Sequence, residues 1–231
     1  MTSDNLLALK GITKEYKEFR LGPLDLSVPR GYVMGLVGAN GAGKTTAIKI
    51  ALGAVLPGNG SAHLIDKTRV GVVLDQPCWQ ATWRVRDLSR LLGPFYPGWD
   101  QRVFDELCEW AGVSQRLKVR EFSRGMGMKV QVAVALAHRA ELLVLDEPTS
   151  GLDPLARSEL LDKLSEFMTD ERHSVLFSTH STTDLDRMAD LITILDAGRV
   201  IASGARDDLL EAWAMVRGGA ADLTGELRAR I

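Results

Sequence analysis

The chain has 231 residues, enough for one large domain or two small ones, with 45% hydrophobic and 25% charged residues. These proportions match ordinary globular chains and exclude disorder, collagen and fibre. A net charge of −2 and a pI near 6.1 leave no global basic field to hold nucleic acid or an anionic bilayer, and no nucleic acid is expected as a partner.

In chain order, residues 6–10 and 24–28 read as short strands. Tyr32–Val37 is an apolar run that ends in a glycine-rich loop, Gly38–Gly43, and Thr45–Leu52 reads as a helix. Ile50–Ile65 is the longest stretch without Asp, Glu, Lys or Arg. Its sixteen residues include Pro57, Asn59 and His63, which excludes a membrane span of about 20 apolar residues. Arg69–Leu74 is a further strand. Residues 84–92 and 100–111 read as helices around the turn-rich Gly93–Gly98, and Val130–His138 as an apolar helix. Leu142–Leu145 is a buried strand, Pro154–Met168 an amphipathic helix, and Ser174–Ser178 and Leu191–Leu195 are strands. Strands alternating with helices predict an α/β fold with a parallel sheet. The stretch at about 77–130 breaks that alternation and reads as a helical insertion. The N-terminus lacks a basic stretch followed by an apolar core, so no signal peptide is expected. Two cysteines, Cys78 and Cys108, argue against a disulfide framework and fit a reduced cytoplasmic setting.

Gly38-Ala39-Asn40-Gly41-Ala42-Gly43-Lys44-Thr45 fits G-x-x-x-x-G-K-[ST] between a predicted strand and a predicted helix. Glycines let the backbone curl so that several N–H groups converge on phosphate oxygens, and the helix N-terminus adds its dipole. Lys44 supplies a cation for the β- and γ-phosphates, and the Thr45 hydroxyl can ligate Mg²⁺. Leu142–Asp146 is an apolar strand whose end carries two acids, Asp146 and Glu147. Carboxylates there face the crevice where parallel sheets bind ligands. Asp146 can hold Mg²⁺ through water, and Glu147 can orient or deprotonate an attacking water.

Together these motifs resemble the ATP-binding cassette family, the nucleotide-binding subunits of ABC transporters, over roughly residues 6–210. Gly38–Thr46 looks like Walker A, including Thr46, and Leu142–Glu147 like Walker B with its catalytic glutamate. Ser150-Gly151-Leu152-Asp153 looks like the D-loop, with Asp153 facing nucleotide. His180 looks like the switch histidine that touches the γ-phosphate, and Gln76 like the Q-loop residue that ligates Mg²⁺. Tyr16 holds the position expected to stack on adenine, with Phe19 as a stand-in. The segments EPTSGLDP and FYPGWD are most similar to stand-alone bacterial drug or peptide exporter cassettes. The family's LSGGQ signature stands here as Phe122-Ser123-Arg124-Gly125-Met126, keeping Ser123 and Gly125. Only 31 residues separate Lys44 from Gln76, and the missing length falls between Pro57 and Arg69. That predicts a reduced antiparallel portion beside a RecA-like P-loop core.

The resemblance implies one nucleotide-binding domain over 1–231, with a C-terminal tail at about 211–231. It implies Mg²⁺-dependent hydrolysis of ATP in a head-to-tail pair of cassettes, homodimeric or heterodimeric. Ser123 and Gly125 would then serve the second cassette's nucleotide. It also implies a separate membrane permease, which would hold the chain peripherally on the cytoplasmic face. The runner-up is a soluble ATPase scaffold outside transport, and a neighbouring permease gene would discriminate. Trp79, Trp83, Phe95, Tyr96 and Trp99 fall within 21 residues, a density that fits either core packing or a docking groove. The charge-rich Arg84–Arg90 reads as a solvated helix face.

Overall fold

The computed structural model describes residues 4–212. Nearly all of the tail expected at 211–231 lies outside the described residues. Three mostly apolar runs start the fold. Strand β1 (Asn5–Glu15) pairs antiparallel with β2 (Arg20–Pro29), and β3 (Val33–Val37) leads into helix α1 (Lys44–Ala51). Strand β4 (Asn59–Leu64) then adds to the free edge of β1, giving an antiparallel sheet of order β2-β1-β4. The shortened segment after Pro57 therefore still supplies a strand. It was not legible as one because its side chains are almost all exposed and polar or small.

The second sheet has the order β5-β6-β7-β3-β8-β9. Strands β5 (Val70–Val73), β6 (Leu142–Asp146), β7 (Ser174–Thr179), β3 and β8 (Leu191–Asp196) are parallel. Strand β9 (Arg199–Ala205) closes the edge antiparallel to β8. Both faces of this sheet are covered, as parallel sheets require. The strand period of two divides β6 between them. Leu142 and Val144 join the core shared with α1 and the antiparallel sheet, while Leu143 and Leu145 join the core on the other face. Helix α5 (Pro154–Phe167) and helix α6 (Thr182–Met188) cover that second face. Gly35 in β3 allows the approach of α6, because a Cβ there would stand 2.5 Å from Leu185.

Between β5 and β6 lie α2 (Val85–Leu92), α3 (Gln101–Trp110) and α4 (Arg124–Ala137), with a core built on Val85, Leu88, Phe104, Leu107 and Val130. The insertion thus extends past the expected limit near 130. Helix α4 begins six residues before the predicted start, because Gly125 and Gly127 hide its first turns from a propensity argument. Its two faces serve different cores. Met128, Val132 and Ala135 pack on the sheet, and Val130, Ala133, Val134 and Ala137 on the insertion. Trp79, Trp83 and Trp99 are half-buried against the insertion core, and Tyr96 stacks on buried His138 at 4.2 Å. Packing therefore accounts for most of the aromatic cluster, and Phe95 is the member left exposed. Helix α7 (Arg206–Ala212) ends the described chain.

Candidate active site at the phosphate loop

The loop after β3 is shaped by what its glycines avoid. A Cβ on Gly38 would stand 2.3 Å from the Leu195 carbonyl oxygen. Gly43 caps α1 at φ 109°, a left-handed conformation, and a Cβ there would meet Phe19 and Leu21 at 2.9 Å. The loop, Phe19 and Glu147 enclose a hollow of about 200 Å³, with Asn40, Gly41, Gly43, Lys44, Thr45 and Thr46 around it. Lys44 is 5% exposed, and its ammonium donates to Gly38 O at 2.6 Å and Ala39 O at 3.1 Å. The same nitrogen lies 2.9 Å from Glu147 Oε1. Thr45 Oγ1 donates to Asp146 Oδ2 at 2.8 Å.

Asp146 and Glu147 sit at the C-terminal edge of β6. Glu147 has φ 51°, a left-handed value that costs a side chain bearing a Cβ about 1 kcal/mol or more. Ser178 holds it there. Glu147 N donates to both Ser178 Oγ (3.0 Å) and Ser178 O (3.1 Å), while Ser178 Oγ donates to Asp146 Oδ1 at 2.7 Å. One buried hydroxyl therefore fixes both acids. Glu147 Oε2 meets His180 Nδ1 at 2.7 Å, so Lys44, Glu147 and His180 form a continuous chain across the hollow. The loop carrying His180 is braced from below. Asp184, almost fully buried, accepts from Thr149 Oγ1 and Arg157 Nε, each at 2.6 Å, and Arg157 also reaches Ser181 and Thr183.

The other expected site residues lie apart from this cluster. Tyr16 is half-exposed, and its ring centroid is 6.5 Å from that of Phe19, the aromatic that lines the hollow. Gln76 and Ser123 line a second hollow of about 350 Å³ with Pro77, Trp79, Phe122 and Arg124. Ser123 caps α4, its Oγ accepting from Met126 N at 3.2 Å, and Gly125 faces Ala156 and Leu152. Asp153 caps α5 by accepting from Leu155 N and Ala156 N at 3.0 Å. Arg124 ion-pairs with Asp75, next to Gln76, and lies along Gly151, where a Cβ would stand 3.1 Å from its Nε. Arg124, one of the residues that depart from the signature, thus ties three segments together within one chain.

A lysine and backbone N–H groups around a hollow, with two carboxylates and an imidazole at its edge, form a site for a polyphosphate and a nucleophilic water. This chain belongs to the ABC transporter family, whose description it matches over residues 21–150, and it is an ATP-binding, ATP-hydrolysing subunit of that family. It is similar to Nod factor export ATP-binding protein I of Cupriavidus pinatubonensis, with 34% identity over 89% of this chain and 68% of that protein. It is also similar to daunorubicin resistance ATP-binding protein DrrA3 of Streptomyces coeruleorubidus, with 33% identity over 90% and 70%. A solved ATP-binding subunit of an ABC transporter superposes with a TM-score of 0.80 at 28% identity, over 97% of this chain and 98% of that one. A dimeric cassette bound to ADP and Pi has the same fold, with a TM-score of 0.75 at 21% identity over 86% and 98%.

Proposed function

We propose that the whole chain is one cassette that hydrolyses ATP at the Lys44–Glu147–His180 cluster to drive a separate membrane permease of the export type. The observation that carries this reading is the Lys44–Glu147–His180 chain across the phosphate-loop hollow. Lys44 exchanges its bonds to Gly38, Ala39 and Glu147 for β- and γ-phosphate oxygens. Charge-assisted bonds of this kind are strong. The loop N–H groups and the α1 N-terminus hold the rest of the phosphate charge. Release of Lys44 frees Glu147, which then accepts a proton from the attacking water as ATP is cleaved to ADP and phosphate. His180 keeps the Glu147 carboxylate aimed and presents its other ring nitrogen to the γ-phosphate.

Thr45 Oγ1 and Asp146 Oδ2, 2.8 Å apart at the strand edge, form an all-oxygen pair that fits Mg²⁺. When bound, that ion neutralises phosphate charge, and Gln76 is the further residue proposed to reach it. Phe19 and Tyr16 offer the adenine a stacking face. Ser123, Gly125 and Asp153 lie away from their own phosphate loop, so they serve a second cassette placed head-to-tail. The export relatives support a permease partner, and no described helix is long and apolar enough to cross a membrane. The hollow lined by Gln76, Trp79 and Phe122 is the proposed docking point for it, which would hold the chain at the cytoplasmic face of the membrane.

The test is Glu147→Gln. ATP binding should persist while turnover falls about 10²-fold or more, the range for a lost general base. The variant should also accumulate as a dimer on size exclusion with Mg-ATP. Turnover within threefold of the parent would overturn the role of Glu147.

A further inference from the structure

The insertion carries a charged ridge that the hydrolysis site does not use. Residues 81–86 and 115–120 run side by side in opposite directions. Val85 N donates to Leu117 O at 3.0 Å, Arg86 N to Gln115 O at 3.1 Å, Val119 N to Trp83 O at 2.9 Å and Arg120 N to Ala81 O at 3.0 Å. This pairing brings Arg84 and Arg86 beside Arg116, Lys118 and Arg120, and Arg90, one turn further along α2, joins Arg84, Arg86 and Lys118 around one hollow. The acids within these segments and their ends are Asp87 and Glu121, so six cations face two acids. The local charge is +4 in a chain whose net charge is −2.

Both acids are already engaged. Asp87 accepts from Arg84 N at 2.9 Å and Glu121 from Lys118 N at 2.8 Å, each closing the start of a helical turn. Arg90 approaches Asp87 only at 3.7 Å and stays 77% exposed. Asp105 on α3 reaches the ridge through Gln115 at 3.0 Å, and Gln101 also donates to it. Arg84, Arg86, Arg90 and Lys118 surround an open hollow of about 460 Å³. The ridge continues through Ala81 and Val119 into the hollow of Gln76, Trp79 and Phe122.

We propose that this ridge is a membrane-contact surface that binds the anionic phospholipid headgroups around the permease. The proposal rests on the permease reading, because a docking point for a membrane protein turns the adjoining ridge toward the bilayer. Each Lys or Arg near an anionic leaflet adds attraction that falls off within a Debye length. A cluster of six meets the number such surfaces use, whereas the chain as a whole would be repelled.

The probe is vesicle flotation of the full chain without permease. Vesicles of phosphatidylcholine alone are compared with vesicles carrying about 30 mol% phosphatidylglycerol. The expected result is at least about tenfold stronger binding to the anionic vesicles at low salt, lost by about 0.5 M salt. The triple variant Arg86→Glu, Arg90→Glu, Arg116→Glu should lose that binding while melting temperature and basal ATPase stay parental. The corresponding Gln triple should lose less, which guards against misfolding of the reversed version. Equal binding to both vesicle types, or a triple variant that floats like the parent, would overturn the proposal. A ridge that serves an acidic segment of the permease instead would show no flotation by the parent and lost co-purification in the variant, which also overturns it. Anionic flotation with no co-purification of a permease would sink the permease reading and leave the ridge standing.

Discussion

Ser178→Ala isolates one buried hydroxyl. Its Oγ has no exposure, donates to Asp146 Oδ1 at 2.7 Å and accepts from Glu147 N at 3.0 Å. Alanine keeps the backbone carbonyl that also binds Glu147 N, so the main loss falls on Asp146, itself 5% exposed. Asp146 would keep the Thr45 bond and lose the other. A hydrogen bond to a charged acceptor contributes about 1.5–3 kcal/mol, and the void left by one oxygen adds little, so about 2 kcal/mol is expected. With a urea slope of about 2–3 kcal/mol/M, the midpoint should drop by about 0.7–1 M at constant slope. Because the same hydroxyl aims both acids, ATP turnover should fall about 10- to 100-fold, the range for groups that orient a site from behind. Ser158→Ala is the control. Its hydroxyl reaches Asp162 only at 3.5 Å, so its change should stay within about 0.5 kcal/mol. A Ser178→Ala midpoint within about 0.2 M of the parent, with parental turnover, would refute the view that this hydroxyl fixes the acids.

Arg124→Gly restores the family's residue and removes the Asp75 ion pair, with both partners about half exposed. Stability should change by less than about 1 kcal/mol, while chymotrypsin cleavage at Trp79 and Trp83, just after Gln76, should quicken, and an unchanged cleavage rate there would show that Arg124 does not restrain that loop. Burial, aided by the Asp105 charge, pushes the Cys108 thiol up to about 12, whereas Cys78 is exposed. A thiol reagent at pH 8 should therefore label one cysteine in the native protein and two after unfolding, and two fast native sites would contradict the packing of α3. Burial alone would raise Glu141, but hydrogen bonds from Arg69 and Arg30 outweigh it and hold the carboxyl below its usual range. A depressed folded value adds stability above the unfolded pKa that is lost as pH falls through the folded one. Glu141→Gln should accordingly flatten the loss of stability below about pH 4.5, and an unaltered acid limb would count against the pairing.

The layout of the candidate site was legible where it is local. Lys44 and Thr45 follow a strand and open a helix, and Asp146 and Glu147 end an apolar run, so pattern and position coincide within a few residues. Ser178 was not legible, because Ser174–Thr179 reads only as a strand. Its partnership with Asp146 exists only through the β6–β7 register, which sets Asp146 opposite Ser178. The Arg157–Asp184–Thr149 brace fails for the same reason, since Thr149 and Asp184 stand 35 positions apart in the chain. The edge strands β4 and β9 escaped because NGSAHL lacks an apolar stripe and RVIASGA is at best half-buried. The central strands were easier to see, since burial on both faces writes itself as an unbroken apolar run.

The division of α4 between two cores limits how this protein can be rebuilt. The insertion has no C-terminal border of its own, because the helix that completes it also seats Met128 and Val132 on the main sheet. Cutting at residue 123 would strip the insertion of one wall, and cutting at 138 would strip the sheet of its cover. A chimera that borrows an insertion from another cassette must therefore carry α4 with it and match the face that meets β5 as well. Gln131 marks that second requirement. Its amide bonds Leu74 N and Leu74 O, both at 3.0 Å, which staples the middle of the helix to the chain two residues before Gln76. A graft that ignores this staple would be expected to keep its fold and lose the register between the graft and the phosphate site.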